Sequence, residues 1–540
     1  MEKRRTTTSL GQGHKNYTCS TNVTKGNVYA TAVMDINMPP EYKMFNDSVH
    51  GHIKLHPVCV QIIDTLEFQR LRNIKQCGPL YWVFPGSSHN RFEHSLGVCY
   101  LAGQMVEALR RNCSYDIISD DEKLCLEIAG LCHDLGHGPM SHTWEKFLKA
   151  ASRSNGTGNN GGWRHEDASI KMFRHLMFNN SNKLKNLLEK ALPDMIEKGI
   201  DFMKLIEELI MGKGKTLGNE KIFLYEIISN KETGIDVDRW DYFLRDGLHL
   251  NFKFTFDYRR LLEFCRVINV EGKKRICFRN KEAQNIYDMF LVRAKLHNRA
   301  YGHHVSRSIE EMFIDAFVAA DKEGYEVCVP SGTKFKLSEA HKNMESLTCL
   351  TDHIIFDILC SAKCGKARAL MQRILNRDLY TVVYCKNFSA RLAKALREKE
   401  SYTDTQKLKA DVEEEIRIYK QEIQEEIKKL CRSMEYYTED KFKVEIVKLD
   451  MGIEFSNATR NAGSKINPFS NIHFYDKKDV DKAVVMEWEH VPIFLIPEDS
   501  IHRIEALIIY KNHESLKNHT QALQELKEIR DELAQRWKSQ

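Results

Sequence analysis

The stretch IAGLCHDLGHGPMSH at residues 128–142 decides how this chain folds. Apolar residues at helical spacing lead into it, and the glycines and proline at positions 136–139 must end that helix. The last turn of the helix therefore carries the adjacent pair His133 and Asp134. We expect these side chains at a helix end that opens onto a cavity.

The start of the same helix is also marked in the sequence. Ser119 followed three residues later by Glu122 is a capping-box signature. Leu124, Ile128 and Leu131 then repeat at the spacing of one helical face. The pattern predicts a helix that begins after Ser119 and buries this face.

The composition is that of a globular protein with a large buried core. The chain has 540 residues, of which 42% are hydrophobic and 29% are charged. These values exclude collagen-like and wholly disordered chains. No stretch approaches the roughly 18 uncharged apolar residues that a membrane-spanning helix needs, so we expect no membrane partner.

The amino terminus lacks the apolar segment of a secretory signal. The 15 cysteines therefore predict reduced thiols in an intracellular protein, located in the nucleus, the cytoplasm or both. The net charge is +5, from 80 Lys and Arg against 75 Asp and Glu. Any attraction for anions must therefore come from local clusters of cations.

Four side chains stand out as candidate metal ligands: His94, His133, Asp134 and Asp238. Imidazole and carboxylate are ligand types that suit zinc, iron or manganese, and this set has no thiolate. A lone His-Asp pair is more often a capped helix end with solvated acids. Two features favour a metal site: histidines follow at positions 137 and 142, and Asp238 begins a polar helical face of its own.

Longer blocks of sequence carry a resemblance to a known family. They are residues 84–98, 128–142, 223–246 and 285–290, which read FPGSSHNRFEHSLGV, IAGLCHDLGHGPMSH, FLYEIISNKETGIDVDRWDYFLRD and NIYDMF. With the order of the four candidate ligands, these blocks closely resemble the HD-domain phosphohydrolases. Among these, the match is to the SAM-and-HD-domain deoxynucleoside triphosphate triphosphohydrolases of vertebrates. The resemblance runs from about Phe45 to about Leu379 and continues weakly over residues 467–478.

The resemblance implies a mainly α fold, with an HD-domain helical core at residues 43–380 and a smaller α/β lobe at 381–540 for regulation and oligomerisation. Residues 1–42 lack periodic apolar positions and predict a disordered tail. That tail is too short for the SAM helical domain, which we expect to be absent. The composition SRSNGTGNNGG at 152–162 predicts a flexible loop.

Within the lobe, Val412, Ile416, Ile423, Ile427 and Leu430 predict one helix. A strand is predicted by the alternation of Phe442, Val444 and Ile446. The final stretch carries apolar residues at helical spacing, namely Leu516, Leu523, Leu526, Leu533 and Trp537. Such a stripe is usually core or an oligomer contact, and we assign it no chemistry.

The resemblance implies metal-dependent hydrolysis of dNTPs. The four candidate ligands would hold the ion, Mg²⁺ would accompany the nucleotide phosphates, and water would attack the α-phosphorus to release a deoxynucleoside and inorganic triphosphate. Implied acid-base residues are His142, His165 and His137, with Glu145 where the family has Asp. Implied phosphate contacts are Arg91, Arg239 and Arg293, and implied deoxyribose contacts are Gln76, Tyr242, Asp246, His297 and Tyr301. Tyr301 would fill the space that a 2′-hydroxyl needs.

The resemblance also implies activation by GTP and a dNTP, which assemble a homotetramer, and antiviral restriction through control of dNTP pools. The guanine-reading residues would be Asn46, Asp64, Gln69 and Arg72. Further activator contacts would be Lys43, Arg260, Arg279, Lys281, Asn285, Arg299, His303, His304, Arg377 and Lys477. His304 and Thr381 stand where the family has lysines, so we expect weaker binding of activator phosphates. By its own pattern, the segment DTLEFQRLR at 64–72 predicts only an exposed amphipathic helix.

Two other functions stay open at this point. Another HD phosphodiesterase or a guanosine-polyphosphate hydrolase would share the ligand set and release a different product. A single-stranded nucleic-acid binder without activity would use basic-aromatic runs such as residues 251–254 and 258–260. The intact set of four ligands favours an enzyme. The sequence leaves the metal, the preferred base and the compartment open.

Overall fold

The computed structural model describes residues 42–154, 162–389, 391–392, 405–432, 434, 437–450, 469, 471–486, 502–511 and 520–538. The predicted tail, apart from its last residue, lies outside the described residues. So do residues 155–161 of the predicted loop, and Leu516. The domain boundaries at 42/43 and 380/381 stay predictions.

Helices make up most of the described structure. In chain order they are α1 (Pro57–Ile63), α2 (Leu66–Gln69), α3 (Arg91–Asn112), α4 (Asp120–Cys132), α5 (His142–Ser154), α6 (His165–Ala191), α7 (Pro193–Glu197), α8 (Phe202–Met211), α9 (Val237–His249), α10 (Tyr258–Glu263), α11 (Ala283–Leu296), α12 (His304–Lys322), α13 (Met344–Cys349), α14 (Ile354–Cys360), α15 (Gly365–Leu375), α16 (Thr405–Cys431) and α17 (Thr520–Lys538). A π-helical turn at His297–Tyr301 follows α11. None of these helices has the length and apolar content to cross a membrane.

The strands are short and form separate small sheets. They are β1 (Lys43–Asp47), β2 (Gly51–Leu55), β3 (Cys265–Val270), β4 (Lys273–Arg279), β5 (Glu326–Cys328), β6 (Lys334–Lys336), β7 (Thr381–Asn387), β8 (Phe442–Asp450), β9 (His473–Asp476), β10 (Asp479–Val485) and β11 (His502–Tyr510). Strands β1 and β2 pair as a hairpin, as do β5 and β6. A four-stranded sheet has the order β10-β9-β4-β3, and a three-stranded sheet has the order β7-β11-β8.

Helix α4 forms where the sequence predicts it. The Ser119 hydroxyl accepts a hydrogen bond from the backbone N–H of Glu122 at 3.2 Å, and the Glu122 carboxylate accepts one from the Ser119 backbone N–H at 2.8 Å. Leu124, Ile128 and Leu131 are buried. The capping box and the buried face are therefore confirmed. The helix ends at Cys132, which leaves the His-Asp pair at its exit.

The C-terminal region combines helices and strands, as predicted. Strand β11 lies at the centre of the sheet that it forms with β7 and β8. One face of this sheet packs on the helical core through Val447, Leu507 and Ile509. The other face carries Val444 and Ile508 into a second apolar cluster, which α16 and α17 complete. A layer of sheet thus separates the helical core from these two helices.

Strands from both sides of the predicted boundary at 380/381 share one sheet. Strand β9 pairs in parallel with β4 through Phe278 opposite Phe474 and Arg279 opposite Tyr475. Phe474 is fully buried with the helical core. The segment at 473–485 is therefore joined to the helical core by its own backbone hydrogen bonds.

Arg70 is a buried cation that ties the histidine-rich turn to the rest of the core. Its guanidinium donates to the carbonyl oxygens of Leu135 at 2.9 Å, His137 at 2.7 Å and Leu350 at 3.0 Å. Burial lowers the pKa of Arg70 to about 10, against the opposing effect of Asp352. The expectation of one exposed amphipathic helix at 64–72 is wrong, because α2 ends at Gln69 and a 3-10 turn follows it with Arg70 inside.

We expect Arg70→Met to destabilise the protein by on the order of 3 kcal/mol, because it leaves three buried carbonyl oxygens without a charged donor. Urea unfolding followed by circular dichroism measures the change. The matched control is Arg72→Met, two residues away, where the guanidinium is exposed and lies 3.5 Å from the Phe92 ring centroid. Equal destabilisation by both substitutions would contradict this account of the turn.

Candidate active site and metal centre

Three elements bring the four candidate metal ligands together. His94 lies in the first turns of α3, Asp238 lies in the first turn of α9, and His133 with Asp134 follows α4 directly. The His94 Nε2 atom is 3.0 Å from Asp238 Oδ1 and 3.5 Å from Asp134 Oδ2. The His133 Nε2 atom is 3.5 Å from an oxygen of each carboxylate. Two imidazoles and two carboxylates therefore point at a common centre.

The donor set fits a divalent metal ion. The Nδ1 atom of His133 donates to the carbonyl oxygen of Gly130 at 2.7 Å, so the lone pair is on Nε2. That Nε2 atom is buried and has no hydrogen-bond partner among the described residues, which fits a ligand atom. Burial opposes ionisation of Asp238, yet the neighbouring imidazoles of His133 and His94 hold its pKa below the ordinary value. The carboxylate is therefore ionised at neutral pH and available to a cation.

A second layer of polar side chains orients His94. Its Nδ1 atom donates to Asp241 Oδ2 at 2.7 Å, which turns Nε2 towards the other ligands. Asp241 is fully buried and also bonds to His50 Nε2 at 2.7 Å and to both Nε and Nη2 of Arg245. Arg245 in turn donates to Asp47 at 2.9 Å. The His94 ring is therefore held by a buried network of charges.

Asp241, His50 and Asp47 were not predicted from the sequence. Asp241 follows Asp238 by three residues on the same helix, so helical spacing could have indicated it. His50 and Asp47 lie near the amino end of the described chain, and no local pattern connects them to α9. Arg245 lies on the polar helical face that begins at Asp238, but no role was predicted for it.

The proposed acid-base residues form a second cluster beside the metal ligands. The rings of His137 and His165 stack with centroids 4.0 Å apart, and His142 lies 5.1 Å from His137 and 5.4 Å from His165. Glu145 Oε1 is 2.7 Å from His165 Nδ1 and 3.4 Å from His142 Nδ1. Burial raises the pKa of Glu145, but hydrogen bonds from His142 and His165 outweigh it and keep the pKa below its ordinary value. One ionised carboxylate thus supports two imidazoles.

His137 stands between the two clusters. Its Nε2 atom is 3.4 Å from Asp134 Oδ1. Burial and the nearby Arg91 lower the pKa of His137 well below its ordinary value, so its ring is neutral at physiological pH. The close approach of α6 depends on Gly136, where an added Cβ would lie 2.3 Å from the His165 carbonyl oxygen. The glycine after the His-Asp pair therefore lets α6 bring His165 to this cluster.

One cavity of about 770 Å³ collects these groups. It is lined by all the predicted substrate contacts, by three metal ligands and by the three histidines of the second cluster, namely Gln76, Arg91, His94, Asp134, His137, His142, His165, Asp238, Arg239, Tyr242, Asp246, Arg293, His297 and Tyr301. His133 and Glu145 lie just behind this lining and contact it. The structure therefore brings together the predicted catalytic, metal and substrate residues.

The arginines of the cavity are already tied to polar groups. Arg91 donates to Asp134 and, at 2.8 Å, to the Ser141 hydroxyl. Arg239 donates to the carbonyl oxygen of Gly234 at 2.8 Å, and Arg293 donates to the Tyr242 hydroxyl at 2.9 Å. These bonds hold the three guanidinium groups in defined positions along the wall.

Tyr301 is held by a hydrogen-bonded chain that sequence analysis found only in part. The tyrosine hydroxyl donates to Asp246 Oδ2, and Asp246 Oδ1 lies 2.5 Å from His89 Nε2. The His89 ring stacks on His249 with centroids 4.3 Å apart. His89 was not predicted, although it lies within the block at 84–98. It positions Asp246 and, through it, the phenol ring.

The C-terminal sheet forms part of the cavity wall. Glu445, Ile446 and Val447 of β8 line the cavity, and no sequence pattern indicated this. Lys146 Nζ of α5 bridges Glu310 of α12 at 2.7 Å and Glu445 at 3.0 Å. The sheet is therefore bound to the helices that carry the active site.

The predicted guanine-reading residues lie near the amino end of the described chain. Asn46 is on β1 with Lys43, Asp64 follows α1, and Gln69 and Arg72 come next. The Gln69 amide donates to the Ile63 carbonyl oxygen at 2.8 Å, and Arg72 Nε donates to Gln69 Oε1 at 2.8 Å. These contacts form one polar stretch, whose role in binding a nucleotide stays a prediction.

Four of the other predicted activator contacts gather as a group of cations. Burial and the charges of Arg279, Arg260 and Lys477 lower the pKa of Lys281. Lys477 belongs to the turn between β9 and β10, so the shared sheet brings it to this group. Arg260 is paired with Glu282.

The remaining predicted activator contacts are placed by other elements. Asn285 bonds to the backbone of Asp257, Arg299 lies 4.6 Å from the Phe252 ring centroid, and Arg377 donates to the Trp82 carbonyl oxygen at 3.1 Å. His303 caps α12, His304 is its first residue and Thr381 begins β7. Their part in activation stays a prediction.

Several aromatic side chains of the basic-aromatic runs are packed into the core. Tyr258 is buried in the core, and Phe252 and Phe254 pack against it. Single strands bind such surfaces by stacking bases on exposed aromatic faces. These runs therefore offer little of that kind of surface in the described chain.

We expect Gly97→Ala to lower metal affinity by roughly 10- to 100-fold, because it disturbs the group that orients a ligand. An added Cβ would lie 1.8 Å from Asp241 Oδ1 and 2.6 Å from Arg245 Nη2. Both are buried and fixed by several bonds, so the clash also costs roughly 1–3 kcal/mol of stability. Chelator competition and thermal unfolding measure the two effects.

The matched control is Gly103→Ala in the same helix, where the added Cβ would meet only the end of the Glu127 side chain. That carboxylate can rotate away, so we expect metal affinity to be unchanged. Normal metal affinity in Gly97→Ala would show that the Asp241 network does not orient His94.

Comparison with known proteins agrees with this geometry. A family model described as the HD domain matches residues 91–243. The deoxynucleoside triphosphate triphosphohydrolase SAMHD1 of Danio rerio is 40% identical over 481 residues, which cover 84% of this chain and 69% of that relative. The protein of the same name from Gallus gallus is 42% identical over 463 residues, with 83% and 69% covered. The one from Xenopus laevis is 39% identical over 507 residues, with 88% and 73% covered. This chain therefore belongs to the family of the SAMHD1 deoxynucleoside triphosphate triphosphohydrolases.

Proposed function

We propose that this chain hydrolyses dNTPs to a deoxynucleoside and inorganic triphosphate. The observation that carries the proposal is the convergence on one cavity of a His/Asp metal cluster, a histidine cluster with its own carboxylate, and three arginines. The names of the relatives support the substrate class. Such a combination can bind a polyanion, polarise a phosphoryl group and move a proton.

The metal would be held by His94, His133, Asp134 and Asp238, and zinc, iron or manganese suits these ligands. When bound, it supplies a positive charge that polarises a phosphoryl oxygen or a water molecule. Mg²⁺ would travel with the nucleotide phosphates. Asp241 keeps His94 in its orientation by accepting the hydrogen bond from His94 Nδ1.

The arginines bind the triphosphate. Arg91, Arg239 and Arg293 present planar guanidinium groups that pair with two phosphate oxygens at a time. Arg91 also neutralises Asp134, so it links the phosphate site to the metal ligands. Arg239 takes a position where the family has a lysine, which retains the charge and adds a fixed direction to the hydrogen bonds.

Exclusion of ribonucleotides follows from the fixed position of Tyr301. Its hydroxyl is bonded to Asp246, which His89 holds in turn. A phenol anchored at its hydroxyl cannot swing aside for a 2′-hydroxyl. Gln76, Tyr242 and His297 complete the sugar site along the same wall.

A histidine supplies the proton that the leaving group needs. Water attacks the α-phosphorus, the bond to the 5′ oxygen breaks, and the departing alkoxide takes a proton. Glu145 accepts a hydrogen bond from His165 Nδ1 at 2.7 Å and lies 3.4 Å from His142 Nδ1, which directs each Nε2 away from the carboxylate. Burial lowers the pKa of His142, and Glu145 opposes this effect, so the carboxylate offsets part of the cost of charging that imidazole.

The products of the reaction test the proposal. The chain is loaded with Mn²⁺, incubated with each dNTP in the presence and absence of GTP, and the products are separated by ion-exchange chromatography. We expect inorganic triphosphate and a deoxynucleoside. Pyrophosphate or a nucleoside monophosphate would instead identify another HD phosphodiesterase. Strong, salt-dependent binding of single strands without turnover would identify a nucleic-acid binder.

Asp238→Asn, and separately the double substitution His133→Ala with Asp134→Ala, should abolish turnover. Each removes charge or ligand atoms from the metal cluster, and loss of the metal removes its polarising charge. Metal content by atomic emission and triphosphate release measure the two consequences together. Near-normal rates in a metal-stripped variant would contradict the assignment of these residues as ligands of a catalytic metal.

The matched control for these variants is Asp167→Asn. Asp167 lies two residues after His165 in the first turn of α6, and its side chain is 55% exposed. The substitution removes the same charge close to the cavity without touching a ligand. We expect metal content and turnover to stay at the level of the unaltered chain.

Activation by GTP and a dNTP, with assembly of a homotetramer, is the second part of the proposal. Activators drive assembly only through their binding energy to the assembled form. His304 and Thr381 replace family lysines, and each lost ammonium removes a charge-assisted contact of on the order of 1–3 kcal/mol. Weaker binding of the activator phosphates raises the activator concentration that gives half-activation. Control of dNTP pools and antiviral restriction follow from the same family resemblance.

We therefore expect His304→Lys and Thr381→Lys to lower the GTP concentration for half-activation. Sedimentation and dNTP turnover are measured against GTP concentration for each variant. Ser331→Lys adds the same charge at an exposed site in another part of the chain and should leave half-activation unchanged. A chain that is active without GTP, or variants with unchanged half-activation, would refute this account of how the activator phosphates are bound.

A further inference from the structure

Three side chains meet where the helical core contacts the C-terminal sheet, and we call this place the seam: His304, Cys385 and Glu505. Glu505 Oε2 lies 3.4 Å from Cys385 Sγ and 3.8 Å from His304 Nε2. All three potential ligand atoms lie within 4.8 Å of one another. The group lies outside the lining of the proposed active-site cavity.

Regular secondary structure brings these side chains together. In the register of β11 with β7, Leu507 lies opposite Cys385, so Glu505 is the diagonal neighbour of Cys385 on the same face. That face packs on the helical core. His304 is the first residue of α12, a helix of the core. Two strands and one helix therefore position the group.

We propose that the seam binds one zinc-class divalent ion through His304 Nε2, Cys385 Sγ and a carboxylate oxygen of Glu505. Imidazole nitrogen, thiolate sulfur and carboxylate oxygen are the three donor types that zinc accepts in proteins. In a tetrahedral zinc site neighbouring ligand atoms lie roughly 3.3–3.6 Å apart, as the usual zinc–ligand bond lengths require. The distances from Glu505 to Cys385 and to His304 need adjustments of only a few tenths of an ångström, and His304 Nε2 lies within 4.8 Å of Cys385 Sγ.

The fourth position of this ion faces solvent. The His304 side chain is 48% exposed, whereas the Glu505 side chain is 6% exposed. An ion can therefore enter from the His304 side and keep a water molecule there. Cys385 forms no disulfide among the described residues, and on metal binding its thiol gives up its proton to solvent as the sulfur–metal bond forms. One proton is released for each ion bound by the thiolate.

A metal at the seam joins elements that already exchange ion pairs. Helix α12 carries Glu311 and Asp315, which pair with Lys511 at the end of the sheet. Glu311 also pairs with Lys443 of β8. The ion adds a link at the first residue of the same helix, between His304 and strands β7 and β11. It therefore stabilises the docking of the sheet on the core.

The thiolate makes this site separable from the proposed catalytic metal. The catalytic cluster offers only imidazole and carboxylate, so cobalt bound there gives no thiolate-to-cobalt charge-transfer band. A second mixed group, Cys77 with His89 and Asp246, lies at the active-site cavity. Its thiol is an alternative source of such a band, so the experiment must distinguish Cys77 from Cys385.

The experiment uses the full chain, stripped by chelation and titrated with Co²⁺ chloride. We expect one near-ultraviolet charge-transfer band that saturates at one thiolate-bound ion per chain and is displaced by Zn²⁺. Cys385→Ser should remove the band. His304→Asn and Glu505→Gln should each weaken Co²⁺ binding at least about 10-fold, as loss of a ligand requires. Cys77→Ser and the exposed Cys328→Ser serve as matched controls and should retain the band.

Thermal unfolding gives a second measurement. Zn²⁺ should raise the unfolding temperature of the chain, and of Cys77→Ser, more than that of Cys385→Ser, because a ligand of the folded state stabilises it. If Cys385→Ser fails to fold, the exposed His304→Asn carries the test by itself. A band that persists in Cys385→Ser, a band lost in Cys77→Ser, or unweakened binding in His304→Asn would overturn the proposal.

Discussion

The carboxylate of Asp241 is the constraint on which the candidate active site depends. It is fully buried and is bonded at once to His94, His50 and Arg245. A charge in that position is tolerated only because every lone pair has a partner and a guanidinium balances it. The pairing fixes how closely α3 and α9 approach, and Gly97 leaves the room for it. The orientation of the first metal ligand is thus a consequence of how a buried charge is satisfied.

The cavity contains two polar centres with different tasks, and Arg91 lies between them. On one side are the carboxylates proposed to hold a cation, and on the other is the histidine cluster supported by Glu145. Arg91 pairs with Asp134 and, with burial, lowers the pKa of His137. The neutral His137 ring therefore separates the carboxylates, which attract positive charge, from the cluster proposed to supply a proton. Two groups of titratable residues in contact can keep separate protonation states in this way.

Much of the fold and of the site could be predicted from the sequence. Capping, periodicity and glycine placement are local, so helix α4 and its polar exit were predicted correctly. The candidate metal ligands could be picked out from the sequence because each lies near the end of a helix within a recognisable block, and their role stays a prediction. Arg70, His50 and Glu445 were missed, since their partners lie far away along the chain and only tertiary packing brings them together. His89 was missed although it lies inside a recognised block, because its partner is on a different helix.

The C-terminal sheet connects the seam to the cavity by a single cross-strand pair. In the register of β11 with β8, Glu505 lies opposite Val447 and Leu507 lies opposite Glu445. Val447 and Glu445 line the cavity, whereas Glu505 belongs to the seam. Paired strands move together, because shifting one strand breaks the hydrogen bonds that join it to the other. A ligand that fixes the seam therefore also fixes the wall of the active site, and the ion pairs of Lys146 with Glu445 and Glu310 carry the same constraint to α5 and α12.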